Sequence, residues 1–113
     1  MMNISVDEQD GVTMVRVAGS IDALTAEQFQ QALQDELAEG DVNLVADLSQ
    51  VDYASSAGLR ALLAGVKESR QKGGDLRLAG VQKGVAKVLA MSGFTSILKM
   101  YDDADAAVGS FAG

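Results

Sequence analysis

The stretch Asp47-Leu48-Ser49-Gln50-Val51-Asp52-Tyr53-Ala54-Ser55-Ser56-Ala57-Gly58-Leu59 decides how this chain is read. Just before and into it, Val42, Leu44, Val45, Ala46 and Leu48 make the apolar run expected of a strand enclosed on both faces. Asp47, Ser49 and Gln50 then let the chain leave the sheet, and Val51 and Tyr53 anchor it again, with Tyr53 wedged between sheet and helix. From Ser56 onward the period changes. Leu59, Leu62, Leu63 and Val66 fall at helical spacing on one face. Ser56 is therefore the expected N-cap, its side-chain oxygen accepting one of the unpaired N–H groups of the first turn. Gly58, within that turn, leaves the approach to the hydroxyl open. The spacing thus predicts a hydroxyl at the positively polarised end of a helix.

Outward from this point, strands and helices alternate. Ile4 and Val6 alternate with Ser5 and Asp7 as a short half-buried strand, and Asp10-Gly11 is a hairpin-turn signal. Val12 to Ala18 reads as a second strand that Gly19 ends. Thr25 with Gln28 three residues later has the form of a capping box. The helix it opens buries Phe29, Leu33 and Leu37, with Ala32 beside them, and Gly40 falls at its C′ position. Downstream of the central helix, Leu76 and Leu78 mark another strand and Gly80 a turn. Lys83 to Met91 reads as a helix with Val85, Val88 and Leu89 on one face, and Gly93 stops it. Phe94, Ile97, Leu98 and Met100 suggest a last strand, and Asp103 to Phe111 a closing helix, acidic in its first turn. Met91 and Met100 read as core packing. One hairpin followed by alternating elements predicts an α/β fold: a mixed sheet covered by helices, in a single domain over residues 1–113.

Composition narrows the chemistry. The 113 residues contain no cysteine and no histidine, which removes disulfides, thiol nucleophiles, Cys/His metal sites and imidazole acid–base catalysis. Nothing at the start resembles a secretory signal, and no apolar run approaches the roughly 20 residues of a membrane helix, so a cytoplasmic protein is expected, without membrane insertion. Sixteen acids against nine bases give a net charge of −7, which disfavours nucleic acid and anionic membranes as partners. That charge either keeps a small domain soluble or steers it toward a basic partner.

Catalysis finds no support. A serine nucleophile at Ser55 or Ser56 needs a general base, and the chain has neither histidine nor a nucleophile-elbow Gly-x-Ser-x-Gly. A phosphate-cradling Gly-x4-Gly-Lys-Ser/Thr is also missing. Asp22, Asp47 and Asp52 could share a surface near the strand ends, but they suit turn hydrogen bonds better than a metal. No catalytic residue, metal or cofactor is expected. Arg60, one turn into the helix, faces solvent, either as a plain solvated arginine or as a contact for a partner or a phosphate.

The motif Asp47-Leu48-Ser49-Gln50-Val51, then Tyr53, then Ser55-Ser56-Ala57-Gly58-Leu59, resembles the signature of STAS domains, in particular of bacterial anti-sigma factor antagonists. Gly19-Ser20-Ile21-Asp22 resembles that family's second motif, at the junction of the second strand and the first long helix. The resemblance spans nearly the whole chain and implies a STAS fold of about five strands and about four helices. It implies that Ser56 is the phosphoacceptor of a partner serine-kinase anti-sigma factor using ATP-Mg²⁺, with Ser55, which stands where many members have Asp, as the alternative. It further implies that Asp22, Tyr53, Ser55, Ser56, Gly58 and Arg60 form the partner contact and that a serine phosphatase resets the switch. The other role open within the same family is a STAS subunit of a transporter complex or stress-sensing assembly, without a phosphorylation switch.

Overall fold

The computed structural model describes residues 2–112. Its elements run β1 (Met2–Gln9), β2 (Val12–Ile21), α1 (Ala26–Ala38), β3 (Asn43–Ala54), α2 (Ser56–Gln71), β4 (Asp75–Ala79), α3 (Lys83–Met91), a 3-10 turn at Phe94–Ser96, β5 (Met100–Tyr101) and α4 (Ala104–Gly109). The five strands lie side by side in chain order, β1 antiparallel to β2 and the rest parallel.

That order fixes where the helices go. Each parallel connection advances one strand in the same direction, and right-handed crossovers then put α1, α2 and α3 on one face of the sheet. Their apolar stripes meet the sheet in one core, with Phe29, Leu33 and Leu37 from α1, Leu59, Leu62 and Val66 from α2, and Val85 and Leu89 from α3. These pack on Val15, Val17, Ile21, Leu44, Ala46, Leu48, Leu76 and Leu78, the residues of one pleat parity. The opposite parity carries Val12, Met14, Val45 and Ala79, which α4 covers with Ala107 and Val108. β3 is thus buried on both faces through Leu44, Val45 and Ala46, as the run from Val42 to Leu48 predicts, whereas β4 presents Leu76 and Leu78 to one face and Asp75, Arg77 and Ala79 to the other.

The turn chemistry follows the sequence closely. Asp10 and Gly11 both have positive φ, so the two-residue loop is of the type that matches the strand twist, and Gln9 pairs with Val12 across it. Beyond α1, the amides of Gly40 and Asp41 donate to the carbonyls of Leu37 and Glu36, a Schellman closure with Gly40 at C′.

Elsewhere the structure corrects the sequence reading. The chain does not leave the sheet at Ser49 and Gln50. β3 continues to Ala54, and the polar residues are absorbed by two register shifts against β2: Arg16 faces Asp47, Ala18 faces Gln50, Gly19 faces Val51 and Ser20 faces Tyr53. Such bulges are rare in parallel pairs. Gly19 therefore does not end β2; it sits at a shift, and the strand runs on to Ile21. No capping box forms at Thr25, whose hydroxyl donates to the Ser20 carbonyl and makes no bond to the helix. The last strand shrinks to Met100 and Tyr101, because Phe94–Ser96 forms a 3-10 turn. Of the residues expected in that strand, Leu98 is buried, but Ile97 is exposed and Met100 is 37% exposed. Met91 is 79% exposed and Val88 also reaches solvent, so neither methionine is core packing. Tyr53 is 55% exposed, so it is not the buried wedge between sheet and helix that the sequence suggests.

One polar cluster sits within this packing. The buried Asp75 carboxylate accepts from Arg70 Nε at 2.9 Å and Arg77 Nε at 3.0 Å, and from the Leu76 amide at 3.0 Å. Arg70 also donates to the Ile97 carbonyl, and Arg77 to Ser110 Oγ, while its guanidinium stacks 4.0 Å from the Phe111 ring centre. Burial alone would raise the Asp75 carboxyl, but the Arg77 and Arg70 hydrogen bonds outweigh it and hold it below the usual carboxylate range.

Candidate functional site

β2 and β3 are parallel, so their carboxyl ends open at the same edge, and the loops leading into α1 and α2 emerge there together. This edge is where open parallel sheets present their ligand sites. The two loops are tied by a direct bond: the Ser55 amide donates to the Ile21 carbonyl at 2.8 Å. That bond extends the β2–β3 pairing one step past Ala54 and holds Ser55 extended, at φ −80° and ψ 174°.

The N-cap is consequently Ser55, not Ser56. Ser55 Oγ accepts from the Gly58 amide at 3.3 Å, and Ser56 is the first helical residue. The reason is that either serine has the chemistry of a cap, and the strand pairing to Ile21 selects the one held outside the helix. The result is a division of labour. Ser55 is half-buried and spends its side chain on the helix, whereas Ser56 is exposed and its hydroxyl is not needed for the cap. Arg60, four residues on and exposed, lies on the same helix face as Ser56.

Gly58 is buried because α2 crosses Ile21 closely. A Cβ there would lie 2.8 Å from Ile21 Cγ2 and 3.0 Å from the Ile21 carbonyl oxygen, the same atom that receives the Ser55 amide. Gly58 is thus a packing requirement of the site, a role its place in the first turn did not reveal.

Asp22 closes the β2–α1 loop. Its Oδ1 accepts from the amides of Leu24 at 2.9 Å and Thr25 at 3.0 Å, while the Asp22 amide donates to Thr25 Oγ1 at 2.9 Å. The hydrogen bonds from the Thr25 amide and hydroxyl hold the Asp22 carboxyl below the usual carboxylate range. Asp22 is thereby a loop organiser at this edge, beside Tyr53 and the serines. Asp52 accepts from Ser20 Oγ at 3.1 Å, and Asp47 accepts from the Ser49 amide and from Arg16. The Asp47 bond to the Ser49 amide is the local turn bond expected of it, whereas Asp52 bonds across the strands to a side chain rather than to local backbone. Among the described residues the carboxylates that do converge are Glu36, Glu39 and Asp41, within 4.8 Å, far along α1 from this edge.

Sequence reasoning missed Leu24, which is 90% exposed on the loop that Asp22 organises. An apolar residue in a loop gives no periodic signal, and only its exposure marks it. Two hollows lie away from the dyad. One, of about 300 Å³, has a mixed lining that includes Ser5, Arg16, Asp47 and Gln50 beside Val17 and Ala18. The other, of about 570 Å³, runs along the second half of α2 beside Ile97. Among the described residues no helix is long and apolar enough to cross a membrane.

The comparison with known proteins fits this geometry. The STAS domain model matches residues 3–107. The chain belongs to the STAS domain family. BtrV of Bordetella bronchiseptica is 34% identical over 110 residues, covering 97% of this chain and 95% of BtrV. The anti-sigma F factor antagonist of Paenibacillus polymyxa is 30% identical over 106 residues, covering 90% and 88% of the two chains. Among solved structures, an anti-sigma factor antagonist from Mycobacterium paratuberculosis superposes with a TM-score of 0.91 at 26% identity, over 100% of this chain and 96% of that one. The STAS fold expected from the two sequence motifs is therefore the one observed, with five strands and four helices.

Proposed function

We propose that this STAS domain is an anti-sigma factor antagonist that binds a serine-kinase anti-sigma factor and is switched off by phosphorylation of Ser56. The relatives so named match it along nearly their whole length, which supports the antagonist role. The observation that carries the switch is the pairing of serines: Ser55 caps α2, leaving Ser56 exposed at its first helical position.

In this reading the unphosphorylated surface around Asp22, Tyr53, Ser55, Ser56 and Arg60 occupies the anti-sigma factor, which frees the sigma factor in the cytoplasm. The kinase positions ATP-Mg²⁺ against Ser56. An Oγ–phosphorus bond forms, the bond from the γ-phosphorus to ADP breaks, and the serine proton passes to a base on the kinase. This chain supplies the acceptor and no catalytic group. The product dianion, of about −1.5 to −2 charge, rests at a helix N-terminus that favours it, so the domain stays folded. Arg60 on the same face offers the phosphate a cation. The partner loses affinity because it now meets a new charge. A serine phosphatase hydrolyses the ester and restores the serine.

The test is phosphorylation of the purified chain by the kinase-type anti-sigma factor encoded nearest its gene, read by intact mass and peptide mapping. A single phosphate on Ser56, absent in Ser56→Ala and retained in Ser55→Ala, is the expected result. A phosphate on Ser55 alone overturns the assignment. A stable complex with a transporter subunit and none with such a kinase favours the transporter role instead.

A further inference from the structure

Leu24 and Tyr53 stand at the same end of the sheet as Ser56. Both stand at the carboxyl edge of β2 and β3: Tyr53 faces Ser20 in the strand register, and Leu24 follows Ile21, whose carbonyl bonds the Ser55 amide. Met91, the other apolar side chain more than half exposed among the described residues, lies at the far end of α3, toward the opposite edge of the sheet.

The exposure of Leu24 is built, not slack. Its own amide donates to Asp22 Oδ1 at 2.9 Å, and the next amide, of Thr25, donates to the same oxygen at 3.0 Å. Thr25 Oγ1 in turn donates to the Ser20 carbonyl at 2.9 Å and receives the Asp22 amide. The polar side chains of this loop are spent on fixing a turn whose tip is a bare isobutyl group. A lone surface leucine is ordinary. A leucine 90% exposed on a hydrogen-bonded turn, with a 55% exposed tyrosine at the adjoining strand end, is pre-organised for burial against another protein.

We propose that Leu24 and Tyr53 form an apolar rim around Ser56 that the anti-sigma factor covers, and that this rim sets the strength of the phosphorylation switch. The proposal rests on the antagonist reading above and extends it. In a wet contact, water and salt would solvate a phosphate on Ser56 and the complex would lose little. A rim that excludes water leaves the dianion facing the partner without its hydration shell, which is far less favourable. The partner this fits has an apolar recess for Leu24 next to the site that receives Ser56.

The test is a two-by-two comparison using the full chain and the kinase-type anti-sigma factor encoded nearest its gene. Wild type and Leu24→Ala are each prepared unphosphorylated and phosphorylated on Ser56, and Kd is measured by titration calorimetry. Leu24→Ala should weaken the unphosphorylated complex about tenfold or more, as truncation of a buried anchor does. Its midpoint of thermal unfolding and the amide resonances of Asp22 and Thr25 should not move, because the loop bonds use the backbone amide of Leu24. The phosphate should cost wild type on the order of a hundredfold in Kd and the Leu24→Ala chain under about tenfold, a coupling that independent sites would not show. Tyr53→Ala should change both quantities in the same direction. A Leu24→Ala Kd within about twofold of wild type, or an equal phosphate cost in both backgrounds, overturns the rim while leaving the switch intact. A wild-type chain that is neither bound nor phosphorylated overturns the antagonist reading, and the rim with it.

Discussion

The Ser55 amide and the Ile21 carbonyl, 2.8 Å apart, join the two motifs that mark this chain at the sequence level. Gly19-Ser20-Ile21-Asp22 and Ser55-Ser56-Ala57-Gly58 are distant in sequence and consecutive in space. One hydrogen bond sets the entry to α2, the identity of its cap and the position of the Asp22 loop beside the serines.

The division between the serines makes opposite predictions for two neighbouring alanine substitutions. Ser55→Ala removes the acceptor for the Gly58 amide and should destabilise the fold by ~1 kcal/mol. Ser56→Ala should change stability by less than ~0.5 kcal/mol while abolishing phosphorylation. Urea denaturation of both variants, with unchanged slopes, decides this. Equal losses would mean that both hydroxyls serve the helix.

Gly58→Ala forces a methyl group into Ile21 and its carbonyl oxygen. Backbone has to move, since an oxygen at 3.0 Å cannot rotate away as a side chain can. The expected cost is about 1–3 kcal/mol, with displaced amide resonances at Asp22 and Ser55 and weaker partner binding. An unshifted Asp22 loop would show that α2 and β2 adjust independently.

Asp75→Asn removes the charge that gathers Arg70 and Arg77, and should cost ~2–3 kcal/mol at neutral pH. The pH dependence has a fixed sign. The Asp75 carboxyl titrates below its ordinary value of 3.8 in the folded state, so its stabilisation is fully present above the unfolded value and is lost as pH falls from about 4 through the lower folded value. Wild type and Asp75→Asn should therefore converge in stability below about pH 4. A gap that stays constant as the pH falls well below 4 would assign the loss to packing instead.

At the end of α1, burial raises the Glu36 carboxyl above 4.5, and Glu39, Asp41 and Asp35 push it the same way. The helix dipole is negative there too, and no basic residue stands in the last turn. Glu36→Gln should stabilise the fold by ~0.5 kcal/mol at neutral pH. A raised acid opposes folding only where it is ionised, so this gain should disappear below about pH 4.5. Added divalent cation provides a control, because a loss of the gain with Mg²⁺ would mean the three carboxylates hold the ion.

The layers of this fold were legible because they depend on period. Alternation after a single hairpin, with glycine at Gly40, Gly80 and Gly93 where φ turns positive, gave the element order and the buried stripes. What escaped depends on partners from other elements. Which of Ser55 and Ser56 caps α2 is decided by Ile21. Thr25 was read as a cap because Gln28 stands at the right spacing, but Asp22 and Ser20 claim its hydroxyl. Tyr53 and Met91 are apolar residues on regular elements, and only tertiary packing tells that nothing covers them. The serine dyad and Tyr53 were legible as a motif; the exposure of Leu24 was not.

The two register shifts between β2 and β3 have a consequence for how this family member can change length. Between Arg16 and Ser20 on β2, and between Asp47 and Tyr53 on β3, the longer strand carries two additional residues. An even surplus preserves the alternation of sides, so Tyr53 emerges on the same side of the sheet as Asp47. A single insertion or deletion in this segment would turn Tyr53 over and set it apart from Leu24, whereas a paired change keeps both in place. Indels here should accumulate in twos, and the ruler that spaces the serines from the core is counted by parity as much as by distance.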